Sequence, residues 1–132
     1  MTTKTDTEYA QAFTNGYMAG YKVGRHSVGI RLQEYPVITL CGSTKFKDDF
    51  LDIQKMLTLE GYIVLSVGVF GHSGDDLQGL KVMLDDMHKR KIDLSDEIFV
   101  INKDGYIGES TRSEIEYAMT HGKKIRYLEE IE

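Results

Sequence analysis

The residues best suited to chemistry lie between Gly105 and Lys124, where a glycine-bearing loop leads into a predicted helix that carries Glu114. Amides at a helix start, with the hydroxyls of Ser110 and Thr111, can hold an anion such as a phosphate. We expect Glu114 in the first turn, where the helix dipole favours the ionised form, which can act as a nucleophile. The same spacing fits a capping box, with Thr111 as N-cap and Glu114 in a purely structural role. The spacing alone leaves both interpretations open.

A second loop of this kind follows the first predicted strand, at Gly42, Ser43 and Thr44. Its amides and hydroxyls can bind an anion, although a tight turn with a Ser or Thr cap has the same composition. His72 lies in a glycine-flanked loop, where it either contacts a ligand or has no role. His88 lies late on a predicted helix, where it is either a solvated side chain or a group near a cleft that titrates around neutrality.

Neither a metal site nor a cofactor is predicted. The four histidines fall in different predicted elements and form no H-x-x-x-H pair. Cys41 is the only cysteine, so the chain has neither an internal disulfide nor a thiolate cluster. Its apolar surroundings in the sequence predict a buried structural thiol.

Strands and helices are predicted to alternate as β-α-β-α-β-α-β over residues 36–128. This alternation predicts an α/β fold, a small open parallel sheet of about four to five strands with helices on both faces, Rossmann/flavodoxin-like. Ligands of such sheets bind beyond the carboxyl ends of the strands. We therefore expect the loops at 42–44, 68–76 and 105–111 to converge on one cleft. The strands are predicted near 37–41, 62–67, 98–101 and 125–128, and the helices near 46–61, 80–94 and 111–122.

Residues 1–34 are predicted to form a helical extension before the α/β domain at 35–132. Aromatic residues and glycines each recur at every fourth position between residues 9 and 24, which places an aromatic stripe beside a groove without side chains. Each glycine costs a helix about 1 kcal/mol relative to alanine, so close packing against another backbone should offset it. The helix either packs at a subunit interface or lies on its own domain; alternatively, the glycines break it into two short helices.

The bulk composition restricts the classes of partner. With 132 residues, 41% of them hydrophobic, the chain has room for one main core. A net charge of −5 with both signs interspersed argues against a nucleic-acid polymer or an anionic membrane as partner. No apolar run approaches the length of a membrane span, and the polar start MTTKTDTE does not fit a signal peptide. We therefore expect a cytoplasmic protein that binds a small molecule.

Three stretches of the sequence resemble the nucleoside 2-deoxyribosyltransferases and the related 2'-deoxynucleoside 5'-monophosphate N-glycosidases. These are ITLCGST after the first strand, SDEIFVI at the third, and STRSEIEYA followed by HGKKI. The resemblance covers roughly residues 36–128. It implies that Glu114 is the nucleophile, because the family carries its catalytic glutamate in the setting E-[LI]-x-[YR]-A followed by G-K. It also implies attack on C1' of a deoxyribose through a glycosyl-enzyme ester, resolved with retention by water or a second base.

The resemblance also suggests roles for residues around Glu114. His88 stands eight residues before Asp96, where the family usually has an aspartate, and can donate a proton to the leaving base; Asp93 is another candidate. The monophosphate hydrolases have a serine six residues before the nucleophile and a glycine two later. Here Gly108 and Ser110 provide the same residue types in swapped order, which suits a phosphate. The substrate-binding residues implied are Gly42, Ser43, Thr44, His72, Gly108, Ser110 and Thr111.

Family sites often include residues from a second subunit, so the resemblance also implies a homodimer or a higher homo-oligomer. Because a fold does not fix a function, two alternatives remain. One is a non-catalytic nucleotide-binding module on the same fold. The other is an interaction protein whose working part is the N-terminal aromatic and glycine-rich helix.

Overall fold

The computed structural model of the protein describes residues 34–131, which form a four-stranded sheet with three α-helices. All strands are parallel and follow the order β2-β1-β3-β4. The predicted α/β class, with a Rossmann/flavodoxin-like arrangement, is confirmed. The elements are β1 Val37–Gly42, α1 Lys47–Leu59, β2 Ile63–Leu65, α2 Lys81–Asp93, β3 Glu97–Ile101, α3 Glu109–Thr120 and β4 Lys124–Tyr127.

The core lies on both faces of the sheet, since the central strands β1 and β3 are apolar along nearly their whole length. On one face, Leu40 and Phe99 pack with Phe50 of α1. On the other, Cys41 packs with Ile92 of α2 and Ala118 of α3. Successive residues of a strand point to opposite faces, so the neighbours Leu40 and Cys41 contribute to different halves of the core.

The carboxyl ends of β1 and β3 lie side by side, with Gly42 paired to Ile101. The chain continues from β1 into α1 on one face and from β3 into α3 on the other. In sheets of this type, such a divergence opens the crevice in which ligands bind. A Cβ atom at position 42 would lie 3.0 Å from the carbonyl oxygen of Ile101 and 3.1 Å from the Cβ of Ile101. Glycine therefore allows the two strand ends to approach this closely.

Strand β2 spans Ile63–Leu65 and is shorter than the predicted 62–67. The carbonyl of Ser66, just beyond its end, accepts a hydrogen bond from Nζ of Lys91 at 2.5 Å instead of extending the ladder. None of the described helices combines the length and apolar character needed to cross a membrane. The predicted N-terminal helix falls outside the described residues.

Candidate active site

The loops beyond the strand ends line a cavity of about 480 Å³, which falls within the usual size range of small-molecule sites. The predicted convergence of three separate loops is therefore confirmed. Every residue predicted for catalysis or substrate binding contributes to the lining: Gly42, Ser43, Thr44, His72, His88, Gly108, Ser110, Thr111 and Glu114.

Helix α3 begins at Glu109 with the extended residue Gly108 as its N-cap, and none of the described side chains caps it. The first helical hydrogen bond runs from the amide of Arg112 to the carbonyl of Gly108 at 2.9 Å. The capping-box interpretation is thus wrong, because Thr111 lies inside the helix and is buried. Glu114 belongs to the second turn and not to the first, and it has no part in capping.

The carboxyl group of Glu114 is held in a largely dry environment, with only 12% of its side chain exposed. Burial raises its pKa to about 7, and the nearby Asp85 adds to the rise. A hydrogen bond from the Cys41 thiol and the charges of Lys89 and Lys81 act in the opposite direction. Glu114 thus lies beyond the first turn, where the helix dipole acts, and desolvation favours its neutral form.

His88 extends from α2 towards Glu114, and its Nε2 lies 3.9 Å from the carboxylate Oε1. The histidine is buried, so its interpretation as a solvated side chain is wrong. Burial and the charge of Lys91 lower its pKa to about 4, while a hydrogen bond to the backbone of Leu40 acts the other way. The imidazole is thus neutral near pH 7.

Cys41 completes a buried cluster with these two side chains. Its thiol is fully buried, as predicted, and its Sγ lies 3.6 Å from Nε2 of His88. Burial, followed by the proximity of Glu114, raises the pKa of the thiol well above its ordinary value. The possible ligand atoms of Cys41, His88 and Glu114 all lie within 4.8 Å of one another. A search for local histidine pairs misses this group because its members come from β1, α2 and α3.

Lys81, which no sequence motif marks, lies beside the start of α3. Nζ of Lys81, from the first turn of α2, lies 2.8 Å from Asp85 and donates to Oγ of Ser110 at 3.1 Å. Lys81 lines the cavity beside Gly108, and so does the acidic residue Glu109. A cation therefore lies next to the free amides of a helix N-terminus.

Two short 3-10 turns, Thr44–Phe46 and Gly71–Ser73, contribute Thr44, Gly71 and His72 to the cavity lining. Nδ1 of His72 lies 2.6 Å from Oγ1 of Thr44, and this contact joins the turns. Tyr106 also lines the cavity, and Nζ of Lys45 lies 3.6 Å from its ring centroid. The rim thus offers an imidazole and an aromatic ring to a ligand.

Comparison of the chain with the models of known protein families and with curated proteins gave no match. The fold and the cavity therefore define the class of protein on their own. It is a Rossmann-like α/β domain whose strand-end cavity contains a buried carboxyl group beside a neutral imidazole. Such an arrangement can support nucleophilic attack by the carboxylate together with proton transfer.

Proposed function

We propose that the chain is a nucleoside 2-deoxyribosyltransferase-like N-glycosidase that cleaves the N-glycosidic bond of a 2'-deoxynucleoside 5'-monophosphate, with Glu114 as nucleophile. The observation that carries the proposal is the position of the Glu114 carboxyl group. It lines the cavity, has no part in helix capping, and lies 3.9 Å from His88. The same residue occupies the nucleophile position in the sequence resemblance.

In the proposed reaction, one carboxylate oxygen of Glu114 attacks C1' of the deoxyribose. The bond between C1' and the base breaks, its electron pair stays on the base, and the base takes up a proton. Water then attacks C1' of the glycosyl ester, which releases deoxyribose 5-phosphate, regenerates the carboxylate and returns one water proton to the His88 and Glu114 pair. Attack by a second base in place of water gives transfer. Two displacements at one carbon retain its configuration.

His88 is the residue to which we assign protonation of the leaving base. It lines the same cavity as Glu114 and approaches its carboxylate with Nε2. A hydrogen bond to the backbone of Leu40 also acts on this imidazole. A protonated base is a better leaving group, so a donor at this position lowers the barrier to bond cleavage.

A monophosphate is favoured over a nucleoside by the environment at the start of α3. The free amides of the first turn, the hydroxyl of Ser110 and the ammonium group of Lys81 suit a phosphate dianion. Glu109 supplies a carboxylate on the same rim, which is the feature that favours a 5'-hydroxyl instead. Comparing the two substrate types in one assay decides between them.

A non-catalytic nucleotide-binding module is the second candidate. It is favoured by the histidine at position 88, which is neutral near pH 7 and stands where the related enzymes usually have an aspartate. The test is base release, followed by chromatography, from a panel of deoxynucleosides and their 5'-monophosphates, with calorimetric binding measured in parallel. Release from monophosphates supports the enzyme. Binding without release from any member of the panel supports the module and overturns our proposal.

A further inference from the structure

We propose that Cys41, His88 and Glu114 form a site for one zinc ion at the base of the cavity. The three side chains supply a thiolate, an imidazole and a carboxylate from three different elements of the fold. Such a ligand set goes beyond the proposed glycosidase function, which uses Glu114 as a nucleophile and requires no metal.

The distance between the sulfur and nitrogen donors suits a tetrahedral ion. Bond lengths of about 2.3 Å to sulfur and 2.1 Å to nitrogen place these two atoms about 3.6 Å apart around tetrahedral zinc. In the structure, Sγ of Cys41 and Nε2 of His88 are 3.6 Å apart. With a bond length of about 2.1 Å to oxygen as well, the nitrogen and a carboxylate oxygen would lie about 3.4 Å apart. The observed 3.9 Å between His88 and Glu114 requires a shift of several tenths of an ångström by one side chain.

The hydrogen bonding around His88 also fits a metal ligand. Nε2 faces Cys41 and Glu114, while the ring is hydrogen-bonded to the backbone of Leu40. Metal-bound histidines generally donate their other ring N–H to a carbonyl or a carboxylate, which leaves the first nitrogen free to bind the ion. Nε2, the ring nitrogen that would bind the ion, thus already faces the two other donors.

The donor chemistry selects the ion. A thiolate and an imidazole favour a borderline-soft metal such as Zn²⁺, whereas Mg²⁺ and Ca²⁺ prefer ligand sets made only of oxygen. The Cys41 thiolate and the Glu114 carboxylate together balance the double charge of the ion. Binding releases the thiol proton, and also the carboxyl proton where Glu114 carries one. With three protein ligands, the fourth position remains for water on the side of the cavity.

A zinc ion bound at this site would prevent Glu114 from acting as the nucleophile, because the same carboxylate serves both roles. Coordination occupies the carboxylate lone pair that would attack C1', so zinc should inhibit base release and a chelator should restore it. Metal binding is measured by spectroscopy, without any substrate. Failure of the zinc site and failure of the glycosidase proposal are therefore distinguishable.

The experiment titrates the full chain, stripped of metal with a chelator, with Co²⁺ as a spectroscopic substitute for Zn²⁺. We expect one equivalent of Co²⁺ to give a thiolate-to-cobalt charge-transfer band and strong tetrahedral ligand-field bands, both abolished by added Zn²⁺. Because Cys41 is the only cysteine in the chain, the charge-transfer band reports on this residue alone. A titration without that band overturns the proposal.

Matched variants test the other two ligands, with folding checked by circular dichroism. Glu114→Gln and His88→Gln should each weaken Co²⁺ binding at least about tenfold, since even residues behind the ligands change metal affinity by such factors. Cys41→Ser should lose the charge-transfer band. His121→Asn, whose histidine is exposed and outside the cavity lining, should bind like wild type. Unchanged affinity in folded Glu114→Gln or His88→Gln also contradicts the site.

Discussion

Nε2 of His88 lies 3.9 Å from Oε1 of Glu114, and the two largely buried side chains belong to different helices. Burial shifts the two pKa values in opposite directions, to about 4 for His88 and about 7 for Glu114. Between these values the pair holds one proton, and it lies on the carboxyl group. Transfer of that proton to His88 gives the ionised nucleophile and the protonated donor that the proposed reaction requires.

The pH dependence of base release should follow this single proton. With chelated wild-type protein, we expect the rate to be highest between about pH 4 and pH 7. Above this range it should fall roughly tenfold per pH unit, because the pair loses its proton. Other groups acting on the pKa of Glu114 are Cys41 on β1 and Asp85, Lys89 and Lys81 on α2. The measurement is the initial rate of base release across buffers of constant ionic strength.

His88→Gln provides the control for this profile because it removes the proton donor but keeps a side chain of similar size. The variant should be slower throughout, and its rate should rise with pH up to about 7, as Glu114 ionises. A wild-type rate that increases above pH 7 would rule out the shared-proton account.

The same two groups should have opposite effects on stability. Glu114 has its pKa raised from 4.5 to about 7, so the folded state gains protons relative to the unfolded one, and stability falls as pH rises through that window. His88 has its pKa lowered from 6.5 to about 4, so stability increases with pH between these values. In the wild type the two effects largely cancel over the shared range.

Substitution of one partner should expose the effect of the other. In Glu114→Gln only the histidine effect remains, so its stability should increase as the pH rises from about 4 to 6.5. In His88→Gln only the glutamate effect remains, so its stability should decrease as the pH rises from about 4.5 to 7. The wild type should change less than either variant over these ranges. Each change should be about 3 kcal/mol at most. Urea denaturation of the chelated proteins at several pH values measures it. Parallel pH dependence in all three proteins would contradict the assigned pKa shifts.

Lys81→Met tests the phosphate contact at the start of α3. Losing a charge-assisted hydrogen bond of about 1.5 kcal/mol should raise KM for monophosphates roughly tenfold. Deoxynucleosides lack the phosphate, so their KM should change little. Lys55→Met, which changes an exposed lysine of α1 outside the cavity lining, serves as the matched control. An equal loss for both substrate types would show that Lys81 does not contact the phosphate.

Gly42→Ala tests the close approach of β1 and β3. The new Cβ would lie 3.0 Å from the carbonyl oxygen of Ile101 and 3.1 Å from its Cβ, so these buried atoms must shift. We expect a loss of about 1–3 kcal/mol in the free energy of unfolding, measured by urea denaturation. In Gly108→Ala, the nearest atom is the hydroxyl of Tyr106 at 3.2 Å, at the tip of a side chain that can move. A loss as large in that variant would argue against this explanation.

The fold was predictable because its signals are local. The apolar runs of β1 and β3, and the glycine-bearing loops that follow them, indicate buried parallel strands and their ligand-binding edge. Convergence of Gly42 and Gly108 on one cavity then follows from the topology. The start of α3 was misassigned because the Thr111 to Glu114 spacing matches a capping box, whereas the extended Gly108 begins the helix three residues earlier.

The buried cluster was not predictable from local patterns. Cys41, His88 and Glu114 meet only because β1 pairs with β3 and because α2 and α3 cover the same face of the sheet. The pKa shifts depend on the burial that this packing produces. No local pattern marks Lys81 either, since its contact with Ser110 joins the starts of two helices distant in sequence.

The most direct test of the central claim compares base release by wild type, Glu114→Ala and Glu116→Ala on deoxynucleoside 5'-monophosphates, with a chelator present. Glu116 is exposed and two residues further along the same helix, so its substitution controls for loss of a carboxylate from α3. We expect release by wild type and Glu116→Ala, and a loss of at least about a thousandfold in Glu114→Ala with nucleotide binding retained. Release by Glu114→Ala at the wild-type rate would contradict the assignment of Glu114 as the nucleophile.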